Sequence, residues 1–188
     1  MTRTFNIELL RRRLLPADTD LESKRDHPPD AAVAVIIESF RTDTSLLLIR
    51  RTERNGDPWS GQIAFPGGHK TSSDRSFLET AIRESNEEVG ISLKKHAVLG
   101  VLPLVYARSH RIRVAPFVFQ LKTSVEIRPN MEVANTFWVP VNELANSPVI
   151  KSKVRDEEGE LVADSFIYRE NLIWGLTFRI INLLLGSE

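Results

Sequence analysis

The stretch GGHKTSSDRSFLETAIRESNEEVGI, residues 67–91, decides the reading of this chain. It opens on glycines, which tolerate backbone angles that other residues avoid, and passes through a polar loop into helical periodicity. Ser76 with Glu79 three residues later is a capping-box pattern, and Gly90 stands where a helix stop belongs. The spacing predicts a helix over 76–89 with Leu78, Ile82, Ser85 and Val89 sharing one face. Glu84, Glu87 and Glu88 stand at i, i+3 and i+4, so they are neighbours on a helix, roughly opposite that apolar stripe. Exposed like charges at such spacing repel by about 0.2–0.5 kcal/mol per pair. Arg83 offsets part of this through Glu87 at i+4 and Glu79 at i−4, and a divalent cation would offset more. Clustered carboxylates are hard oxygen ligands that suit Mg²⁺ or Mn²⁺. Gly67 and Gly68 can turn a peptide carbonyl toward the same place. Taken alone, the triplet also suits a solvated helix whose glutamates pair with Arg83.

Apolar runs flank this segment on both sides. AAVAVII at 31–37 and SLLLIRR at 45–51 read as buried strands joined by a turn. RNGDPWSG at 54–61 reads as a loop, QIAF at 62–65 as a short strand, and PGG at 66–68 as a sharp break. Downstream, 97–106 and 112–121 read as two strands around the basic turn ARSHR. TFWV at 136–139 is another strand and PVNELAN at 140–146 a short helix. VIKSKV and LVADSFIYRE form a hairpin around the acidic turn RDEEGE, with Glu157, Glu158 and Glu160 as solvated charges. A helix over 174–185 closes the chain. The sum is a mixed α/β body around one central helix. Residues 1–30 read as an amphipathic helix (Phe5, Leu9, Leu10, Leu14) and a proline-bearing linker, and 31–188 as one domain. The Arg11–Arg13 run reads as a solvated helix face.

The 188 residues carry 25 Lys plus Arg against 25 Asp plus Glu, so bulk positive charge for nucleic acid is absent. There is no cysteine, which excludes disulfides, thiolate nucleophiles and Cys-ligated zinc. No apolar stretch approaches the ~20 residues that span a bilayer, and the N-terminus lacks a secretory pattern. A cytoplasmic protein with no membrane or nucleic-acid partner is expected.

The 67–91 stretch resembles the Nudix box, in which a glycine and an acidic residue precede Arg-Glu-hydrophobic-any-Glu-Glu-any-Gly-hydrophobic. Here Gly68 and Asp74 are followed, eight residues on, by Arg83-Glu84-Ser85-Asn86-Glu87-Glu88-Val89-Gly90-Ile91. Asp74 replaces the usual Glu, one extra residue precedes Arg83, and Ser85 replaces a hydrophobic residue. The Asp and the extra residue resemble the coenzyme A pyrophosphatase-like branch. So do Gly61, Phe65, Pro66, Gly67 and Gly68, the segment NMEVANTFWVPVNEL at 130–144, and the closing IWGLTFRIINLL at 173–184, where Phe178 replaces an Ala. The spacer GDPWS departs from that branch, placing Asp57 and Pro58 where a basic residue is expected.

The resemblance implies an α/β/α sandwich with a mixed β-sheet between helices. It also implies metal-dependent hydrolysis of a diphosphate in coenzyme A or its derivatives, giving 3′,5′-ADP and phosphopantetheine. ADP-ribose, dinucleoside polyphosphates and nucleoside triphosphates are the alternative substrates, and a non-catalytic ligand-binding module is a third reading. Glu84, Glu87 and Glu88, with a carbonyl at Gly67 or Gly68, are the implied metal ligands, and Arg83 orients them. Glu87 and Glu132 are the candidate general bases. Arg50, Arg51 and Arg54 could hold phosphates, and Arg111, with Arg108, His110 and Arg113, forms a second basic cluster. Trp59 could stack on a base, while Trp138 and Trp174 read as core. Many Nudix enzymes are dimers, so a homodimer is possible.

Overall fold

The computed structural model describes residues 2–22, 28–39, 43–57, 59–106, 112–156 and 158–187. Its centre is β1 (Ala31–Glu38), buried along its whole length. Alternation along this strand divides the interior in two. Val33, Val35 and Ile37 enter one core cluster, and Ala32, Ala34 and Ile36 enter the other. β1 runs parallel to β7 (Arg113–Gln120) and antiparallel to β2 (Ser45–Arg51). On the outer edges β8 (Val133–Pro140) pairs with β2, while β5 (Ala97–Val101) and β6 (Val105–Tyr106) pair with β7. The predicted strand over 97–106 is therefore two strands, interrupted around Pro103, which has no N–H to give a ladder.

β1 and β2 pair only at Ile37–Leu46 and Glu38–Ser45 and then diverge. The chain fills the wedge between them. β3 (Ile63–Ala64) pairs with β2, and β4 (Gly67–His69) turns away to pair with β1. The expected break at PGG is thus a strand switch, and the glycines belong to the sheet.

α2 (Phe77–Val89) lies on the Ala32–Ala34–Ile36 face, where small side chains admit it closely. The opposite face is covered by α4 (Gly175–Leu185), with α3 (Val141–Asn146) at its edge. A second, three-stranded sheet consists of β9 (Ile150–Asp156), β10 (Gly159–Tyr168) and β11 (Asn171–Trp174). It supplies Phe166, Tyr168 and Ile173 to the α4 core, and the Phe166 and Phe178 rings stack 4.7 Å apart. Phe178 therefore has a packing partner at the position where the family pattern carries Ala. The layers form the expected α/β/α arrangement.

The N-terminal helix is shorter than predicted: α1 spans Ile7–Arg11, with Asn6 as its side-chain cap. Leu10 is fully buried in the α4 core, and Leu15 bridges to Val101. The arginine run is exposed, as expected, and two of its members are also engaged. Arg13 donates to the carbonyls of Leu183 and Leu184, capping the end of α4, and Arg11 donates to Gln120. No helix among the described residues is long and apolar enough to cross a membrane.

Candidate active site

α2 begins and ends where the sequence predicts, with the Ser76 hydroxyl accepting from the Glu79 N–H and Gly90 left-handed at φ 73°. Glu79, however, accepts from the Arg75 backbone and guanidinium, leaving Arg83 free for other partners. The packed face also differs from the predicted one. Phe77, Thr80, Ala81, Ser85, Glu88 and Val89 are buried, while Leu78 and Ile82 are only partly so. The stripe is rotated because Phe77 and Ala81 outcompete Leu78 and Ile82 for the space over β1. Ser85 fits there because its hydroxyl donates to the Ile91 carbonyl.

This rotation separates the three glutamates. Glu88 is 2% exposed, Glu84 is half-buried and Glu87 is exposed. The Gly67 N–H donates to Glu88 Oε2 at 2.9 Å, joining the wedge strand to the helix. Burial pushes the Glu88 carboxyl up to about 7, and the nearby charge of Glu84 acts in the same direction against the Gly67 hydrogen bond. Burial also raises Glu84, against the pull of Arg83.

Arg83 organises the cluster. Its Nη1 donates to Glu84 at 2.7 Å and Glu87 at 2.9 Å, and its Nη2 to the His69 carbonyl at 3.1 Å. Its Nε and Nη2 donate to Asp74 at 3.0 and 2.9 Å. Asp74 is itself buried and accepts from the Thr71 N–H and the Thr71 and Thr80 hydroxyls. Arg83 beside it holds the Asp74 carboxyl well below the usual range, and Asp74 in turn raises Arg83. A shorter acid with one more residue of loop therefore reaches the arginine that the helix presents.

Among the described residues, no three acidic or histidine side chains converge closely enough to enclose a cation. Arg83 draws Glu84 and Glu87 to itself, and Glu88 turns to Gly67. The donor chemistry nonetheless fits a hard divalent ion: two shielded carboxylates and a peptide strand meet with no side chain between them. A Cβ on Gly68 would collide with the Glu84 carboxylate, and one on Gly67 would meet the Ala32 carbonyl and Val33. Glycine is what leaves this cradle open.

The other sequence-predicted residues divide by strand alternation. Arg51, two residues beyond Ile49, lies on the α2 side, and its charge acts on Glu88, as does that of Glu132. Arg51 Nη2 pairs with Asp57 at 3.0 Å, while its Nε is buried with no acceptor among the described residues. A buried N–H left unsatisfied costs about 1–3 kcal/mol. Arg54 pairs with Glu132 at 3.3 Å. The segment carrying Glu132 is fastened to the end of α2, since Arg128 N–H donates to the Val89 carbonyl and Asn130 N–H to the Glu88 carbonyl. Arg50 faces the other way. It lines a cleft of about 390 Å³ with Lys153, Arg155, Glu170 and Trp174, so Trp174 is a wall residue rather than core. Arg111, Arg108, His110, Pro58 and Glu157 lie outside the described residues. Sequence reasoning missed Asp57 as a partner of Arg51 and Gly67 as a donor to Glu88; the only signals were an acidic residue in a basic spacer and the paired glycines.

The Nudix domain family matches residues 28–162. The Nudix hydrolase NudL of Pectobacterium atrosepticum is 36% identical over 154 residues, covering 80% of this chain and 79% of that protein. NudL of Photorhabdus laumondii is 33% identical over 155 residues, covering 80% and 81%. Among solved structures, a C. elegans Ap4A hydrolase shares the fold with a TM-score of 0.53 at 18% identity, over 61% of this chain and 82% of that one. A MutT/nudix family protein from Enterococcus faecalis does so with a TM-score of 0.54 at 16% identity, over 88% and 64%. With its matched domain reaching from before β1 into β10 and enclosing the whole acidic cluster, this chain belongs to the Nudix family of pyrophosphate-bond hydrolases.

Proposed function

We propose that this chain cleaves the diphosphate of coenzyme A or a derivative, giving 3′,5′-ADP and phosphopantetheine. The observation that carries the chemistry is Glu88, a buried carboxyl tied to the Gly67 N–H and adjoining Glu84, with Arg51 and Glu132 in its field. Mg²⁺ or Mn²⁺ would be held by Glu84, Glu87, Glu88 and the Gly68 carbonyl. Bound there, the cation would neutralise diphosphate oxygens and acidify the attacking water. Arg83, locked by Asp74, orients Glu84 and Glu87. Arg51 and Arg54 offer guanidinium donors to the phosphates. Glu87 or Glu132 takes the proton of the water as its oxygen bonds to phosphorus and the bridging oxygen leaves. Glu132 suits this role because the segment that carries it is fastened to α2. Arg50, on the other face of β2, serves the cleft with Lys153 and Arg155, where the remote anionic end of a long substrate would lie.

The choice of coenzyme A is supported by the Asp74 loop, the Gly61–Gly68 lead-in and the WGLTFR helix start. The test is a panel of coenzyme A, acetyl coenzyme A, ADP-ribose, diadenosine polyphosphates and nucleoside triphosphates with Mg²⁺ or Mn²⁺, and Glu88→Gln alongside. Coenzyme A cleaved fastest, and the variant inactive, is the expected result. Much faster turnover of ADP-ribose overturns the substrate, and unchanged hydrolysis by Glu88→Gln overturns the site.

A further inference from the structure

We infer that Asp57 is a positioning residue for the diphosphate: it holds one nitrogen of Arg51 and so fixes a guanidinium whose Nε–H, without an acceptor among the described residues, is left for a phosphoryl oxygen. The inference rests on the proposed function for the identity of the ligand, and on the following geometry for the rest. Arg51 ends β2 on the α2 side, and its charge acts on the buried Glu88. A guanidinium there has an obvious alternative, which is to turn onto Glu88 or Glu132 and occupy the oxygens a cation and substrate need. Instead its Nη2 donates to Asp57 Oδ2 at 3.0 Å. The other oxygen, Oδ1, accepts from the Trp59 N–H at 3.0 Å, so the carboxylate is fixed from both sides. Burial pushes the Asp57 carboxyl up, but the Trp59 N–H and Arg51 outweigh it and keep it ionised. Glu132, whose charge also acts on Glu88, is already engaged by Arg54.

What remains is an Arg51 Nε that is buried and has no acceptor among the described residues. The guanidinium carries its donors in a rigid fork that matches phosphate geometry, so holding one nitrogen orients the rest. A diphosphate supplies the anionic acceptor that the protein withholds. Beyond the bond from the Trp59 N–H to Asp57, the loop is held by its own backbone. Asp57 N–H donates to the Arg54 carbonyl, Ser60 N–H to the Asp57 carbonyl, and Gln62 N–H to the Trp59 carbonyl. The Ser60 hydroxyl also accepts from the Arg54 N–H. Removing the carboxylate frees Arg51 and the Trp59 N–H while these other bonds still hold the segment, and Asp57→Asn keeps an acceptor oxygen.

The test compares wild type, Asp57→Ala, Asp57→Asn, Arg51→Ala and the Asp57→Ala/Arg51→Ala double variant. Two readouts are taken: calorimetric affinity of the metal-free protein for ADP, and kcat and KM on the best diphosphate substrate. Asp57→Ala is expected to weaken ADP and raise KM by about tenfold, with kcat changed less than about threefold. Asp57→Asn keeps an acceptor for Arg51 and is expected to stay within about threefold of wild type. In the Arg51→Ala background, loss of Asp57 should add nothing. Effects that multiply in the double variant, or an Asp57→Ala protein that binds ADP like wild type, overturn the inference. Failure of the wild type to hydrolyse any diphosphate overturns the proposed function instead, while the ADP cycle still decides the role of Asp57.

Discussion

Asp74 accepts from two nitrogens of the Arg83 guanidinium, nine residues on, with closest distances of 3.0 and 2.9 Å, and this pair fixes the group that bonds Glu84 and Glu87. Replacing the buried acid should act on stability and activity together. Asp74→Asn removes the most buried of the three carboxylates that pair with Arg83 and is expected to lower stability by about 2 kcal/mol. Urea denaturation measures the first effect, and kcat, expected to fall at least about tenfold as Arg83 turns toward the glutamates, measures the second. An unchanged denaturation midpoint would remove Asp74 from this role.

Glu88 predicts a pH dependence of opposite sign to that of an ordinary paired carboxylate. An unfolded glutamate titrates at about 4.3, whereas burial in the fold pushes Glu88 up to about 7. Between these values the folded state binds the extra proton, so stability falls as pH rises through the window. The melting temperature of EDTA-treated protein should decline from about pH 5 to about pH 7.5, and Glu88→Gln should flatten the decline. Mg²⁺, which needs the ionised carboxylate, should raise the melting temperature increasingly across the same range. Asp74 is depressed instead. Its contribution is present above about pH 3.9 and is lost as pH falls toward its folded value, outside this window.

The two glycines of β4 should respond differently to a methyl group. At Gly67 the new Cβ meets backbone and the Val33 side chain, so Gly67→Ala should cost about 1–3 kcal/mol and weaken the sheet. At Gly68 it meets the end of the Glu84 side chain, which can move. Gly68→Ala should therefore fold with a loss below about 1 kcal/mol yet lose at least about tenfold in kcat. Thermal melts and steady-state rates on both variants separate the cases.

Arg50 and Arg51 are sequence neighbours on opposite faces of β2. Arg51→Ala should slow hydrolysis of every diphosphate tested. Arg50→Ala should raise KM only for a substrate long enough to reach the second cleft, by about fivefold for coenzyme A and not for ADP-ribose. Equal losses on both substrates would mean that Arg50 does not discriminate between them.

The acidic helix was legible in the sequence because its signals are local. The Ser76 cap, the stop at Gly90 and the spacing of Glu84, Glu87 and Glu88 each follow from residues within a few positions of one another. The apolar runs at 31–37 and 45–51 were likewise readable as buried strands, since a strand covered on both faces shows as a continuous apolar stretch. Which face of the helix packs was not readable. Two stripes compete on α2, and only the small residues of β1 beneath it decide that Phe77 and Ala81 go in and that Glu88 goes with them. The division of Arg50 from Arg51 depends on which side of β2 the helix covers, and the pairing of Arg51 with Asp57 depends on how the loop folds back. Local spacing alone determined that three carboxylates lie on one helix beside a pair of glycines. The tertiary structure decided which of them is buried, because burial is set by the element on the other side of the contact.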